Sequence, residues 1–122
     1  MFRLFLISLL VYSSAAFSAD KYVCTVDKKT ICSDGVCKSM ALEPDDYRIV
    51  DVRARTYQMG SDIVDLNGIR QSGIFNYFLI GASSFMKVVT TDIEDYRDTR
   101  GSFVEVRDTF LSIITSYGVC KF

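Results

Sequence analysis

The sequence predicts an all-β fold: a small antiparallel meander, closed as a barrel or sandwich of about eight strands and stapled by two disulfides. Three observations point there. Turn signals recur about every ten residues. The runs between them are rich in Val, Ile, Thr, Phe and Tyr. Four cysteines occur in a chain that has no histidine.

The first nineteen residues, MFRLFLISLLVYSSAAFSA, are set apart from the fold. Arg3 supplies a positive start, Leu4 to Tyr12 form an apolar run broken by Ser8, and the small residues Ser13 to Ala16 follow. That order describes an export signal peptide. The run is about half the roughly 20 residues a membrane-spanning helix needs. Residues 1–19 are therefore expected to be removed, leaving 20–122 as one exported domain. Cys24 follows Lys21-Tyr22-Val23 rather than a lipobox, so no lipid anchor is expected. The bacterial periplasm is the expected location, with secretion beyond it as the alternative. Net charge is −1, with no Lys/Arg cluster. The electrostatic footprint of a nucleic-acid or anionic-lipid binder is missing, and no membrane span is expected after cleavage.

Without histidine there is no mixed Cys/His zinc site and no imidazole base. Three cysteines cluster at 24, 32 and 37 and one stands at 120, unlike the two close pairs of a four-cysteine zinc site. Cys32 and Cys37 also lack the Cys-x-x-Cys spacing of redox catalysts. In an oxidising compartment an even count reads as disulfides. The favoured pairing is Cys24–Cys120 with Cys32–Cys37, because Ser33-Asp34-Gly35 favours a tight turn between the latter two. A Cys24–Cys32 bridge across a hairpin at Asp27-Lys28-Lys29 is the rival.

Turn signals lie at Ser33-Asp34-Gly35, Pro44-Asp45-Asp46, Gly60-Ser61-Asp62, Asn67-Gly68, Gly81 to Ser84, Thr99-Arg100-Gly101 and Arg107-Asp108-Thr109. YRIVDVRA, GIFNYFLI, SFMKVVTT, SFVEV and FLSIITSY are the strands between them. In SFVEV, Phe103 and Glu105 share one face and Val104 and Val106 the other, the period-two pattern of a half-buried strand. A helical alternative covers 102–117, where Ser102-Phe103-Val104-Glu105 fits a capping box and Gly118 fits a stop. It would give an α+β fold with a C-terminal helix. Few residues there favour a helix, most being β-branched or aromatic. The same contest arises over 84–96, and strands are preferred in both.

No pattern demands a catalyst. TTDIEDYRDTRG is dense in charge but lacks the fixed acidic spacing of a calcium loop, and reads as a solvated hairpin loop. Asp51, Arg53 and Arg55 would share a strand face with Tyr47 and Ile49, as a surface salt-bridge ladder. No nucleophile elbow or Ser-x-x-Lys motif surrounds any serine. No cofactor, metal ligand set or enzyme activity is expected. In QSGIFNYFLIG, Phe75, Tyr77 and Leu79 lie on one face and Phe78 and Ile80 on the other. Such a strand is either central in the core or offers one aromatic face to a partner.

The leader, a domain of about a hundred residues, the early YVC and the final YGVC together resemble small disulfide-stapled envelope β-barrels. The periplasmic inhibitors of c-type lysozyme are the functional example. The resemblance implies a bridge tying the N- and C-terminal strands and a loop with Ser-Gly-x-x-Tyr inserted into the lysozyme cleft. Here Ser72-Gly73 is followed by Ile74-Phe75-Asn76-Tyr77, which puts the tyrosine one residue later. Ser72, Gly73, Phe75 and Tyr77 are the candidate partner-binding residues. The expected function is a non-enzymatic binding protein, an inhibitor or immunity protein against a cell-wall hydrolase, with a protein partner in the envelope. Its alternatives are a small apolar-ligand barrel and a structural protein of the envelope.

Overall fold

The computed structural model of the chain describes residues 20–90 and 100–122. The leader read at 1–19 and the acidic stretch at 91–99 lie outside the described residues. Among the described residues the chain forms nine antiparallel strands and no helix. These are β1 (Lys21–Ser33), β2 (Val36–Met40), β3 (Tyr47–Asp51), β4 (Thr56–Met59), β5 (Asp62–Ser72), β6 (Phe75–Ile80), β7 (Ser84–Val89), β8 (Ser102–Asp108) and β9 (Ile113–Lys121). Each pairs with the next from β3 to β9, and β1 pairs with both β3 and β9, so eight strands close into a barrel.

β1 makes the closure work because it is long and bulged. Its first half pairs with β3 and its second half with β2, while β9 runs along the other side of both. The ladder with β9 slips between Val26 and Lys28, leaving Asp27 as the extra residue of a bulge. A bulge bends a strand and shifts the side-chain alternation by one. Tyr22, Cys24 and Val26 face inward before it, and Lys29 after it. Cys24 stands opposite Cys120 across the β1–β9 seam, and Cys32 opposite Cys37 across the β1–β2 hairpin. Both pairs are disulfide-bonded, with sequence separations of 96 and 5. The Cys24–Cys32 rival is thereby ruled out. Two disulfides are compatible with an exported protein.

The interior is filled by side chains. Tyr22, Val50, Tyr57, Phe78, Met86, Val88 and Phe103 are all buried, and form one cluster with Cys24 and Cys120. Tyr22 packs edge-on to Phe78, with ring centroids 5.3 Å apart, and stacks on Phe122 at 4.8 Å. Burying each large apolar side chain contributes roughly 1.5–3 kcal/mol.

Two local expectations are corrected, and the strands preferred over 102–117 are present. Asn67-Gly68 is not a turn. It lies inside β5, where the register to β6 shifts between Leu66 and Gly68. Gly68 leaves room for Leu79 opposite, whose Cδ1 would sit 3.2 Å from an added Cβ. The strand read through YRIVDVRA stops at Asp51, whose carboxylate accepts the Ala54 amide at 3.0 Å and folds the chain over. Asp51, Arg53 and Arg55 therefore form no ladder along a strand face. Over 102–117 two strands and a turn replace the helical alternative. The turn falls at Thr109 to Ser112, one step past the Arg107-Asp108-Thr109 signal, and is closed by Thr109 donating its amide to the Ser112 carbonyl at 2.8 Å. In the other contested stretch, 84–89 is strand β7.

Candidate functional site

The residues singled out by the sequence gather on the outer wall. β5 and β6 are joined by a two-residue turn, Gly73-Ile74, bracketed by the cross-strand pair Ser72 and Phe75. Gly73 has a φ of 59°, a left-handed value that glycine adopts without a Cβ penalty. Beyond the turn, alternation sends Asn76, Phe78 and Ile80 inward and Phe75, Tyr77 and Leu79 outward. The outward set continues across the ladders. Tyr77 lies between Arg70 and Lys87, and Leu79 between Gly68 and Phe85.

This builds an aromatic strip. The Phe75 and Tyr77 ring centroids are 6.2 Å apart, and those of Tyr77 and Phe85 are 6.4 Å apart. Lys87 Nζ lies 4.7 Å from the Phe75 centroid, a cation–π contact. Arg70, Ser72, Tyr77, Leu79 and Phe85 line a shallow cleft of about 390 Å³. The structure thus brings Ser72, Phe75 and Tyr77 onto one face, with Gly73 as the corner that turns the chain. Phe85, Arg70 and Lys87 belong to the same face, and sequence reading missed them. Their only signal was outward parity in strands not yet known to be neighbours.

A second cluster occupies the barrel interior. Arg48, the inward residue before Val50, is 1% exposed, and Glu105, the inward residue after Phe103, is 0% exposed. Arg48 Nε donates to Glu105 Oε2 at 2.9 Å, and the Tyr57 hydroxyl donates to the same oxygen. Arg107 Nε approaches the other Glu105 oxygen at 3.4 Å. Nearer the barrel mouth, Lys29 Nζ lies 2.9 Å from both Asp46 oxygens, and the Glu43 amide donates to Asp46 Oδ2.

The titrations follow from these contacts. Burial pushes the Tyr57 phenol well above its ordinary value, and the Glu105 charge pushes the same way. Burial acts to lower the Arg48 guanidinium, but its hydrogen bond to Glu105 and the charges of Glu105, Tyr57 and Asp46 carry it upward. Burial also acts to raise the Asp46 carboxyl. The Lys29 hydrogen bond, the Glu43 amide and the charges of Lys29 and Arg48 outweigh it, and hold Asp46 below the usual carboxylate value. The arrangement holds its charges in fixed pairs, which lets Arg48 and Glu105 sit in a core at all. Among the described residues no group of three or more His, Cys, Asp or Glu is placed to hold a metal ion.

Fold and surface together define a disulfide-stapled, side-chain-filled eight-strand barrel with an aromatic strip on its outer wall. Comparison with protein families, curated proteins and solved structures finds no match to this chain.

Proposed function

We propose that the protein is a non-enzymatic binding protein of the bacterial periplasm, an inhibitor or immunity protein against a cell-wall hydrolase. The observation that carries the reading is the outward strip of Phe75, Tyr77 and Phe85, set beside the tight turn at Gly73 and flanked by Arg70 and Lys87. Aromatic and arginine side chains supply most of the energy at protein interfaces. Mounting them on a sheet keeps their conformational freedom low before the partner arrives. The filled interior supports this reading over an apolar-ligand carrier, because Phe78, Met86 and Val88 occupy the space a ligand would need. Two disulfides suit the oxidising compartment in which such hydrolases act. The test is inhibition of muramidases by the purified, oxidised protein, joined to capture from envelope extract. Inhibition in the micromolar range or below is expected. No effect on any muramidase at micromolar concentration would remove the inhibitor reading.

A further inference from the structure

The hairpin joining β8 to β9 raises the most exposed large apolar side chains among the described residues, Phe110 at 96% and Leu111 at 77%. The turn beneath them is braced. Thr109 donates both its amide and its hydroxyl to the Ser112 carbonyl, each at 2.8 Å. Ser112 Oγ lies 2.5 Å from Ser33 Oγ, in the loop that the Cys32–Cys37 disulfide closes. Two apolar side chains held out on a braced turn lose little freedom on docking, and their exposure is costly unless something covers them. The hollow at the foot of the tip contains two exposed carboxylates, Asp34 and Asp108, and among the described residues no cation in its lining.

The aromatic strip has the opposite character. Among the described residues its cleft offers Tyr77, Leu79 and Phe85 as an apolar floor with Arg70 in the wall and no acid in the lining, and Lys87 stands alongside over Phe75. An acidic apolar knob and a basic apolar cleft occur on the same chain.

We propose that a second copy of this chain occupies the strip. The Phe110–Leu111 tip of one copy seats in the β5–β7 cleft of the next, with Asp34 and Asp108 facing Arg70 and Lys87. Knob and cleft are different surfaces, one at a barrel end and one on the wall, so the contact is heterologous and each bound copy leaves a tip or a cleft free. A tip and a shallow cleft make a small interface, which belongs to the weak, concentration-dependent class. The proposal does not rest on the inhibitor reading. A partner and a second copy would compete for the strip.

Sedimentation velocity of the oxidised full domain at rising concentration tests it. The average mass should climb above the monomer, and salt should reverse the climb as the charge pairs are screened. Phe110→Asp should weaken association about 30-fold, and Arg70→Glu about tenfold. Both positions are exposed, and unchanged unfolding midpoints will show that the variants fold. Mixing the two should restore a one-to-one dimer, because Arg70→Glu retains an intact tip and Phe110→Asp an intact cleft. A monomer at every concentration overturns the proposal, as does association that neither variant alters or a mixture that stays monomeric. If the chain instead floats with neutral-lipid vesicles through Phe110 while remaining monomeric in solution, a membrane is the occupant and the proposal fails.

Discussion

Arg48 Nε and Glu105 Oε2 meet 2.9 Å apart inside the barrel, joining β3 to β8 between residues 57 positions apart whose side chains are 1% and 0% exposed. The pair holds opposite walls together and fixes which face of each strand points inward. Removing Glu105 leaves the buried Arg48 with only Asp46, 3.9 Å from its Nη1, as a counter-ion. Glu105→Ala is therefore expected to cost about 3–5 kcal/mol, read as a fall in the urea midpoint. The double replacement Arg48→Met with Glu105→Leu should cost much less, since no orphan charge remains. Equal losses in the two would show that packing volume, not charge pairing, sets the effect.

The mouth of the same cluster governs acid stability. Burial acts to raise the Asp46 carboxyl, but Lys29, the Glu43 amide and Arg48 beside it hold it below the ordinary carboxylate value. A depressed folded pKa contributes stability that is complete above the unfolded value and disappears as pH falls through the folded one. The domain should lose stability below about pH 4. Asp46→Asn should be less stable at neutral pH and show a flatter decline on acidification. Thermal melts across that range check the slope.

The two disulfides should contribute unequally. Cys24–Cys120 closes a loop with a separation of 96 residues, and Cys32–Cys37 one of 5. In the chain-entropy account the longer closure restrains the unfolded chain more, by about 2–3 kcal/mol. Replacing Cys24 and Cys120 together by Ala should lower the melting point far more than replacing Cys32 and Cys37 together.

Gly118 marks the closest approach at the seam. A Cβ there would lie 1.9 Å from the Thr25 carbonyl oxygen and 2.7 Å from Phe103 Cε1. Backbone cannot yield as a flexible side chain can. Gly118→Ala should destabilise by about 1–3 kcal/mol or more, by denaturant unfolding.

Part of this architecture is legible in the chain. β6 shows its two faces through Phe75, Tyr77 and Leu79 against Phe78 and Ile80, and the Asp34-Gly35 turn between two cysteines reads as a stapled hairpin. The interior charges are harder to find. In SFVEV the face of Val104 and Val106 is the more apolar, yet Phe103 and Glu105 point inward. In YRIVD the Arg48 and Val50 face carries a charge that gives no sign of core, yet Arg48 and Val50 are the buried pair. Strand parity cannot be assigned when a buried ion pair makes the inner face the more polar one. Asn67-Gly68 mimics a hairpin signal, but β5 continues to the true turn at Gly73-Ile74. The strip is likewise invisible until β5, β6 and β7 are known to be neighbours, because Arg70, Tyr77 and Lys87 come from three separate strands.

The binding account is tested most directly by a muramidase inhibition titration comparing the wild-type domain with Phe75→Ala, Tyr77→Ala and the interior double variant Arg48→Met/Glu105→Leu. Outward aromatic anchors removed one at a time should each raise the inhibition constant by about 30-fold or more and leave the melting point nearly unchanged. The interior variant should inhibit as wild type does. Inhibition that survives loss of both Phe75 and Tyr77, or no inhibition by the wild-type domain, would contradict the account.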